Sequence, residues 1–247
     1  SGKFHAHNFA NEGFDVISKK YDEIGNSGSD TWVKTISNRP DDAPFFMWFA
    51  SLDAHRGWGE NRFSGTHHPD SISVPLYFAD SEGTRKDLAQ YYDEIYRFDY
   101  RIGEVMEVLK EQDAVDNTLV IVMADNGRPF PHCKTRVNDR GMKTPFIVNW
   151  PEKIDDKGKL CHSLVSVIDI APTILTLAGA EIAESFQGYS FDKILTDPDT
   201  DFRNYVFAEH NWHDYEAHER MVRNKNFMYI LNSRPQFPNM GPADAVE

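Results

Sequence analysis

The sequence predicts an α/β fold, a central and mostly parallel sheet flanked by helices, followed by the start of a smaller antiparallel sheet. Three observations carry this. Residues 119–124, Leu-Val-Ile-Val-Met-Ala, are apolar and β-branched, follow a turn at 113–117, and read as a central strand covered on both faces. Residues 44–52, Pro-Phe-Phe-Met-Trp-Phe-Ala-Ser-Leu, read as a second buried strand. Between them, from residue 84 to about 113, Leu88, Tyr91, Tyr92, Ile95, Phe98, Ile102, Val105, Met106 and Leu109 recur at helical spacing, as in a crossover helix packed on a sheet.

Taken in order, residues 1–42 are irregular and rich in turn formers. Lys3 and His5 lie two apart and share one side of an extended segment, although solvated loop positions are the commoner use of such residues. The strand at 44–52 ends in Asp53-Ala54-His55-Arg56. Residues 57–82, broken by Pro69 and Pro75, form a long surface excursion suited to the wall of a cleft.

The 119–124 strand ends in Asp125-Asn126-Gly127. In open α/β sheets the carboxyl edge is where ligands bind, and a carboxylate beside an amide carbonyl suits Ca²⁺ or Mg²⁺ better than zinc. For the tripeptide alone, a turn capping the strand is the commoner explanation.

After it, Arg128, His132, Lys134, Arg136, Arg140 and Lys143 make residues 128–143 strongly basic, either to neutralise an anion or as solvated surface. Residues 146–150 and 163–168 read as further strands, and 171–178 as a short apolar helix with Pro172 in its first turn. Residues 205–209 and 227–231 read as strands of a later antiparallel sheet, the second entered through an Asn224-Lys225-Asn226 turn. Between them His210, His213 and His218 cluster without metal-ligand spacing. The expected division is 1–200 for the α/β domain and 201–247 for the beginning of the antiparallel subdomain.

The chain has 247 residues, 40% of them hydrophobic and 13% aromatic, enough for a sizeable core. Its formal net charge of -13 argues against nucleic acid or an anionic membrane as partner, and means that an anionic substrate must be met by cations gathered locally. Two cysteines, Cys133 and Cys161, allow at most one bridge. No run reaches membrane-spanning length and no signal peptide is visible, and the chain opens without Met, which suggests a fragment.

Several segments together resemble the type I sulfatases of the alkaline-phosphatase-like superfamily. They are Gly2-Lys3-Phe4-His5 with Gly13-Phe14-Asp15, then Asp53-Ala54-His55-Arg56, the strand with Ala124-Asp125-Asn126-Gly127, Gly141-Met142-Lys143-Thr144-Pro145, and Asp169-Ile170-Ala171-Pro172-Thr173. Each is weak singly; their order across nearly the whole chain is specific. Asp125 to Pro131 followed by Lys134 is most similar to the heparan N-sulfatase branch and its bacterial relatives, as is Asn211-Trp212-His213-Asp214 followed by Arg220.

The resemblance implies an alkaline-phosphatase-like fold and hydrolysis of a sulfate ester or sulfamate on a saccharide, N-sulfoglucosamine first. It implies Ca²⁺, or Mg²⁺, with Asp125 and Asn126 as two of its ligands. Lys3 and Lys134 would hold sulfate oxygens, His5 would hydrogen-bond the nucleophile, and His55 would donate the proton to the leaving group. Arg56, His213, His218 and Arg220 would contact the saccharide. A periplasmic, secreted or lysosomal setting follows from the family, and a homodimer stays open.

Two departures matter. Lys134 stands where that branch carries Arg, which keeps the charge and loses the planar fork. The family's nucleophile, a formylglycine made from Cys or Ser in a Cys/Ser-x-Pro/Ala-x-Arg motif after an Asp-Asp pair, does not occur here in that arrangement; Cys133-Lys134-Thr135-Arg136 is the nearest string. Both belong upstream of Gly2 in the family, so truncation accounts for them together, and the chain alone is expected to lack turnover. A phosphate or phosphonate monoesterase of the same superfamily and a non-catalytic domain binding sulfated glycans are the competing readings.

Overall fold

The computed structural model describes residues 1–3, 10–155 and 158–237. In chain order the elements are helices α1 (Ala10–Gly13), α2 (Tyr21–Ile24), α3 (Trp32–Ser37) and α4 (Glu82–Glu111), strand β1 (Val120–Met123), helix α5 (Asp139–Met142), strand β2 (Phe146–Asn149), helices α6 (Ile170–Leu177) and α7 (Asp192–Thr196), and strands β3 (Val206–Trp212), β4 (Glu216–Arg223) and β5 (Met228–Asn232). By compactness the chain divides into Ser1–Val115 and Asp116–Glu247. The division expected at residue 200 follows sheet type instead, and the five strands among the described residues lie in the second unit.

In the first unit α4 is the expected long helix. Its start is fixed by Ser81, whose side chain accepts from the Thr84 N–H at 3.2 Å, a cap worth about 1 kcal/mol. Leu88, Ala89 and Leu109 are buried on it, while Trp32 and Ile36 on α3, each 2% exposed, complete the local core. The Trp32 ring stacks on Phe49 at 5.3 Å and meets the edge of Phe98 at 6.1 Å. Burying one such side chain is worth roughly 1.5–3 kcal/mol. The buried face of α4 also carries Asp93, Glu94 and Arg97, so it is not the purely apolar stripe that the periodicity suggests.

Residues 44–52 correct an expectation. They are extended, but Phe46 and Trp48 are 56% and 64% exposed, so the segment is not a buried strand. Its described pairing is a parallel bridge between Gly2 and Ala50, with Lys3 N–H donating to the Ala50 carbonyl at 2.8 Å. An extended segment becomes a ladder only where neighbours meet its backbone groups in register. Here Ser1 reaches the Trp48 carbonyl and the Ala50 N–H, and the Ser27 carbonyl the Leu52 N–H, with a single bridge formed at Ala50 among the described residues.

In the second unit β1 pairs antiparallel with β2, Val120 opposite Asn149 and Met123 opposite Phe146. The α/β class holds, but this pairing is not parallel, because the chain returns through a loop containing only the one-turn α5 and not through a crossover helix. All four β1 residues are half-buried, which corrects the expectation of a strand covered on both faces. The run 163–168 is not a strand either. Leu164 makes one bridge to Arg203, and a Ser166/Asp169 capping box then turns the chain into a 3-10 turn leading to α6.

Strands β3, β4 and β5 form an antiparallel sheet in that order. Its outer strands fall where the sequence indicates; the central one overlaps the end of the histidine cluster and carries Arg220, in the stretch that resembles a substrate-recognition hairpin. No helix among the described residues is long and apolar enough to cross a membrane.

Candidate functional site

In the first unit the parallel bridge sets the geometry. Because Gly2 lies opposite Ala50 and the two segments run the same way, Lys3 is carried toward the same end as the Asp53-Ala54-His55-Arg56 turn. That turn begins with the His55 N–H donating to the Leu52 carbonyl at 2.9 Å. His55 is exposed, with its Nδ1 3.1 Å from the Arg56 carbonyl oxygen. His5 lies outside the described residues.

Arg56 is engaged by the protein itself. Its guanidinium pairs with Asp87 on α4, NH1 donating to Oδ1 at 3.2 Å and NH2 to Oδ2, and the Trp58 indole N–H donates to the same carboxylate. Asp53, with its side chain 1% exposed, is held by Arg97 through two donors, Nε to Oδ2 at 2.8 Å and NH2 to Oδ1. Sequence reading missed Asp87, Glu94 and Arg97, and their common spacing on one helix face is the signal that could have found them.

In the second unit Asp125 and Asn126 follow β1 directly. Asp125 is exposed; Asn126 is half-buried and donates from Nδ2 to the Gly127 carbonyl at 2.7 Å, which leaves Oδ1 as its acceptor. Gly127 N–H bonds the Gly141 carbonyl at 2.8 Å, and a Cβ on Gly127 would stand 1.9 Å from the Arg140 carbonyl oxygen. Only glycine permits this approach, and it closes the basic loop at its base.

The loop is packed, not solvated. Phe130, Cys133 and Val137 are 3%, 0% and 2% exposed, and Lys134 and Arg136 are buried with them. Cys133 fills this small core, which is no place for a nucleophile. Burial lowers the pKa of Arg136, while the nearby Glu219 carboxylate opposes that. The C-terminal sheet thus braces the loop, and the Arg223–Asp139 ion pair at 3.3 Å does the same for α5.

The histidines of the hairpin divide by strand alternation. On β4, Glu219 and Met221 are buried on one face, with His210 of β3 opposite Glu219, its Nδ1 3.7 Å from Oε2. Burial first, then the Arg136 and His213 charges, lower the His210 pKa against the pull of Glu219. His218 and Arg220 occupy the other face, where Arg220 meets Glu209 at 3.2 Å. His213, at the hairpin tip, is 3.2 Å from Asp214. So the structure brings together His218 and Arg220 from the expected saccharide contacts, and separates His210 from them.

Asp125 and Asn126 offer oxygen alone, which fits the donor preference of the Ca²⁺ implied by the resemblance. Two such ligands would make only part of a shell, since Ca²⁺ takes roughly six to eight oxygens, and the described residues hold no cluster of three or more His, Cys, Asp or Glu able to bind a metal.

A sulfatase family model matches residues 10–180, and a model described as N-sulphoglucosamine sulphohydrolase, C-terminal, matches residues 132–231. An ulvan-active sulfatase of Formosa agariphila is 28% identical over 248 residues, covering 85% of this chain and 41% of the relative. The human N-sulphoglucosamine sulphohydrolase is 30% identical over 165 residues, covering 58% of this chain and 33% of the relative. The solved structure of Ps i-CgsB is 22% identical with a TM-score of 0.66, over 91% of this chain and 49% of that one. This chain therefore spans between one third and one half of the lengths of these proteins. With matched family segments running from the first unit through the basic loop to β5, the chain belongs to the sulfatases, with their alkaline-phosphatase-like α/β fold.

Proposed function

We propose that this chain supplies the sulfate clamp, proton donor and saccharide-recognition hairpin of an enzyme that hydrolyses sulfated saccharides, with N-sulfated glucosamine as the preferred unit. The observation that carries this reading is the match of residues 132–231 to the C-terminal part of N-sulphoglucosamine sulphohydrolase, a stretch that contains both the packed basic loop and the hairpin it leans on.

Transfer of a sulfuryl group places negative charge on its oxygens and on the departing atom. Lys134, held in a buried loop, and Lys3 present ammonium groups to the former, the electrostatic contribution that usually dominates such catalysis. His55, exposed in the turn that follows residues 44–52, protonates the departing nitrogen or oxygen. Arg220 and His218, side by side on one face of β4, contact the sugar together with His213, while Arg56, paired with Asp87, serves the turn instead. A divalent cation on Asp125 and Asn126 would add positive charge at the sulfuryl oxygens, and formylglycine would supply the attacking oxygen.

The test compares the 247-residue chain with a version extended upstream to the family's length, on glucosamine N-sulfate, an aryl sulfate and a phosphate monoester. Turnover confined to the extended protein, and highest on glucosamine N-sulfate, supports the reading. Preferential phosphate turnover would transfer it to the monoesterases, and heparin binding without turnover to a binding module.

A further inference from the structure

The segment 53–59, which carries His55, is fastened to one face of α4 at three places. At its start Asp53 is gripped by Arg97. In its middle Arg56 and Trp58 share Asp87. At its end the Gly59 N–H bonds the Glu94 carboxylate. Asp87, Glu94, Arg97 and Arg101 lie seven, three and four residues apart along the helix, so they form a single stripe. Side chains of Asp53, Glu94 and Arg97 are 1%, 6% and 10% exposed, which makes the grip an interior one.

We propose that Asp87, Glu94 and Arg97 are positioning residues that hold His55 for proton donation, and that Glu94 makes this hold dependent on its own protonation. The inference rests on the proposed role of His55. Two buried carboxylates share one guanidinium here: Arg97 bonds Asp53 closely and reaches Glu94 Oε1 only at 3.4 Å. With Glu94 neutral, Arg97 and Asp53 balance one to one. With Glu94 ionised, a second negative charge competes for Arg97 and repels Asp53, and the start of the His55 turn is loosened.

The groups that face this cluster are Asp53, Arg97 and the Gly59 N–H, with Arg101 and Asp30 beside Asp53. Burial first and the Asp53 charge second push the Glu94 pKa up to about 7, against the pull of Arg97 and Gly59. The same burial raises Asp53. The switch therefore falls near neutral pH.

The experiment measures kcat and KM against pH for the full-length enzyme, its E94Q, D87N and H55A variants, with two substrates: a saccharide sulfate, whose poor leaving group needs a proton, and 4-nitrophenyl sulfate, whose good one does not. E94Q keeps the size of Glu94 and cannot ionise. The basic limb of its kcat profile on the saccharide should move up by about one pH unit or more, with little change on the aryl sulfate. D87N should lower kcat on the saccharide about 10- to 100-fold with KM within about twofold, as a small misplacement of a catalytic group does. If H55A loses the same factor on both substrates, the proton-donor reading fails. If H55A shows the leaving-group dependence while E94Q keeps the wild-type basic limb and D87N alters both substrates equally, that reading stands and the positioning proposal is overturned.

Discussion

Gly127 donates its N–H to the carbonyl of Gly141 at 2.8 Å, and this single bond closes the basic loop that carries Lys134. The glycine after Asp125 and Asn126 is thus required by backbone proximity and not by turn geometry alone. In G127A the new Cβ would sit 1.9 Å from the Arg140 carbonyl oxygen and 2.8 Å from its carbon, so the loop must open. The expected loss is about 2–4 kcal/mol in denaturant unfolding, within the range of buried steric insertions. Stability within about 0.5 kcal/mol of wild type would show that the two segments separate without cost.

Asp169 and Thr173, both 0% exposed, belong to the motif that resembles the sulfatase helix start, yet their partners are structural. Asp169 accepts from the Ser166 and Tyr189 main-chain N–H groups and from Arg203, while the Thr173 hydroxyl accepts from the Phe191 N–H. D169N removes the charge opposite the poorly exposed Arg203 and should destabilise the chain by about 3–5 kcal/mol. Thermal unfolding of D169N beside D99N, an exposed position on α4, provides the measurement; equal midpoints would count against the network.

Glu94 also predicts a stability profile. Its folded pKa of about 7 lies above its ordinary 4.5, so its contribution is fully present below pH 4.5 and is lost as pH rises through 7. E94Q, permanently neutral, should therefore be more stable than wild type at pH 8 by roughly 1–3 kcal/mol and lose that advantage below pH 5. Urea unfolding at the two pH values decides; an E94Q that is less stable at pH 8 would mean that the Gly59 bond outweighs burial.

His210 works in the opposite direction. Its folded pKa is depressed below 6.5 by burial, so the stability it contributes is present above pH 6.5 and is lost as pH falls through the folded value. H210Q should flatten the stability profile on the acid side of 6.5. E219Q, which leaves Arg136 buried without its counter-charge, should lower stability at pH 7.5 by about 2–4 kcal/mol and loosen the basic loop, visible as faster amide exchange at residues 130–137. Unchanged exchange in E219Q would separate the loop from the sheet.

How much of this was legible in the sequence depends on where charge was buried. The period of apolar residues located α4 because its core contacts repeat every third or fourth residue, and the abrupt end of an apolar run put Asp125 and Asn126 at the close of β1. The same method treats charged residues as outward, so it passed over Asp93, Glu94 and Arg97, which are buried because they pair. It also missed β4, Glu216–Arg223, whose charged residues show no apolar alternation; that segment is a strand because β3 and β5 hydrogen-bond both of its edges. The aromatic run at 44–52 misled in the other direction, since apolar composition does not supply ladder partners. The cationic character of Lys134 is plain in the sequence, while its burial beside Phe130, Cys133 and Val137 depends on packing that no local pattern announces.

We propose that Lys134 and His55 act on one sulfuryl group. This is tested most directly by a crystal structure of the full-length protein with glucosamine N-sulfate bound. The account predicts the Lys134 ammonium and a His55 ring nitrogen each within about 3.2 Å of the sulfamate, with the cation on Asp125 and Asn126. Side chains of Lys134 and His55 more than roughly 12 Å apart, beyond the joint reach of two hydrogen bonds to one small anion, would contradict it.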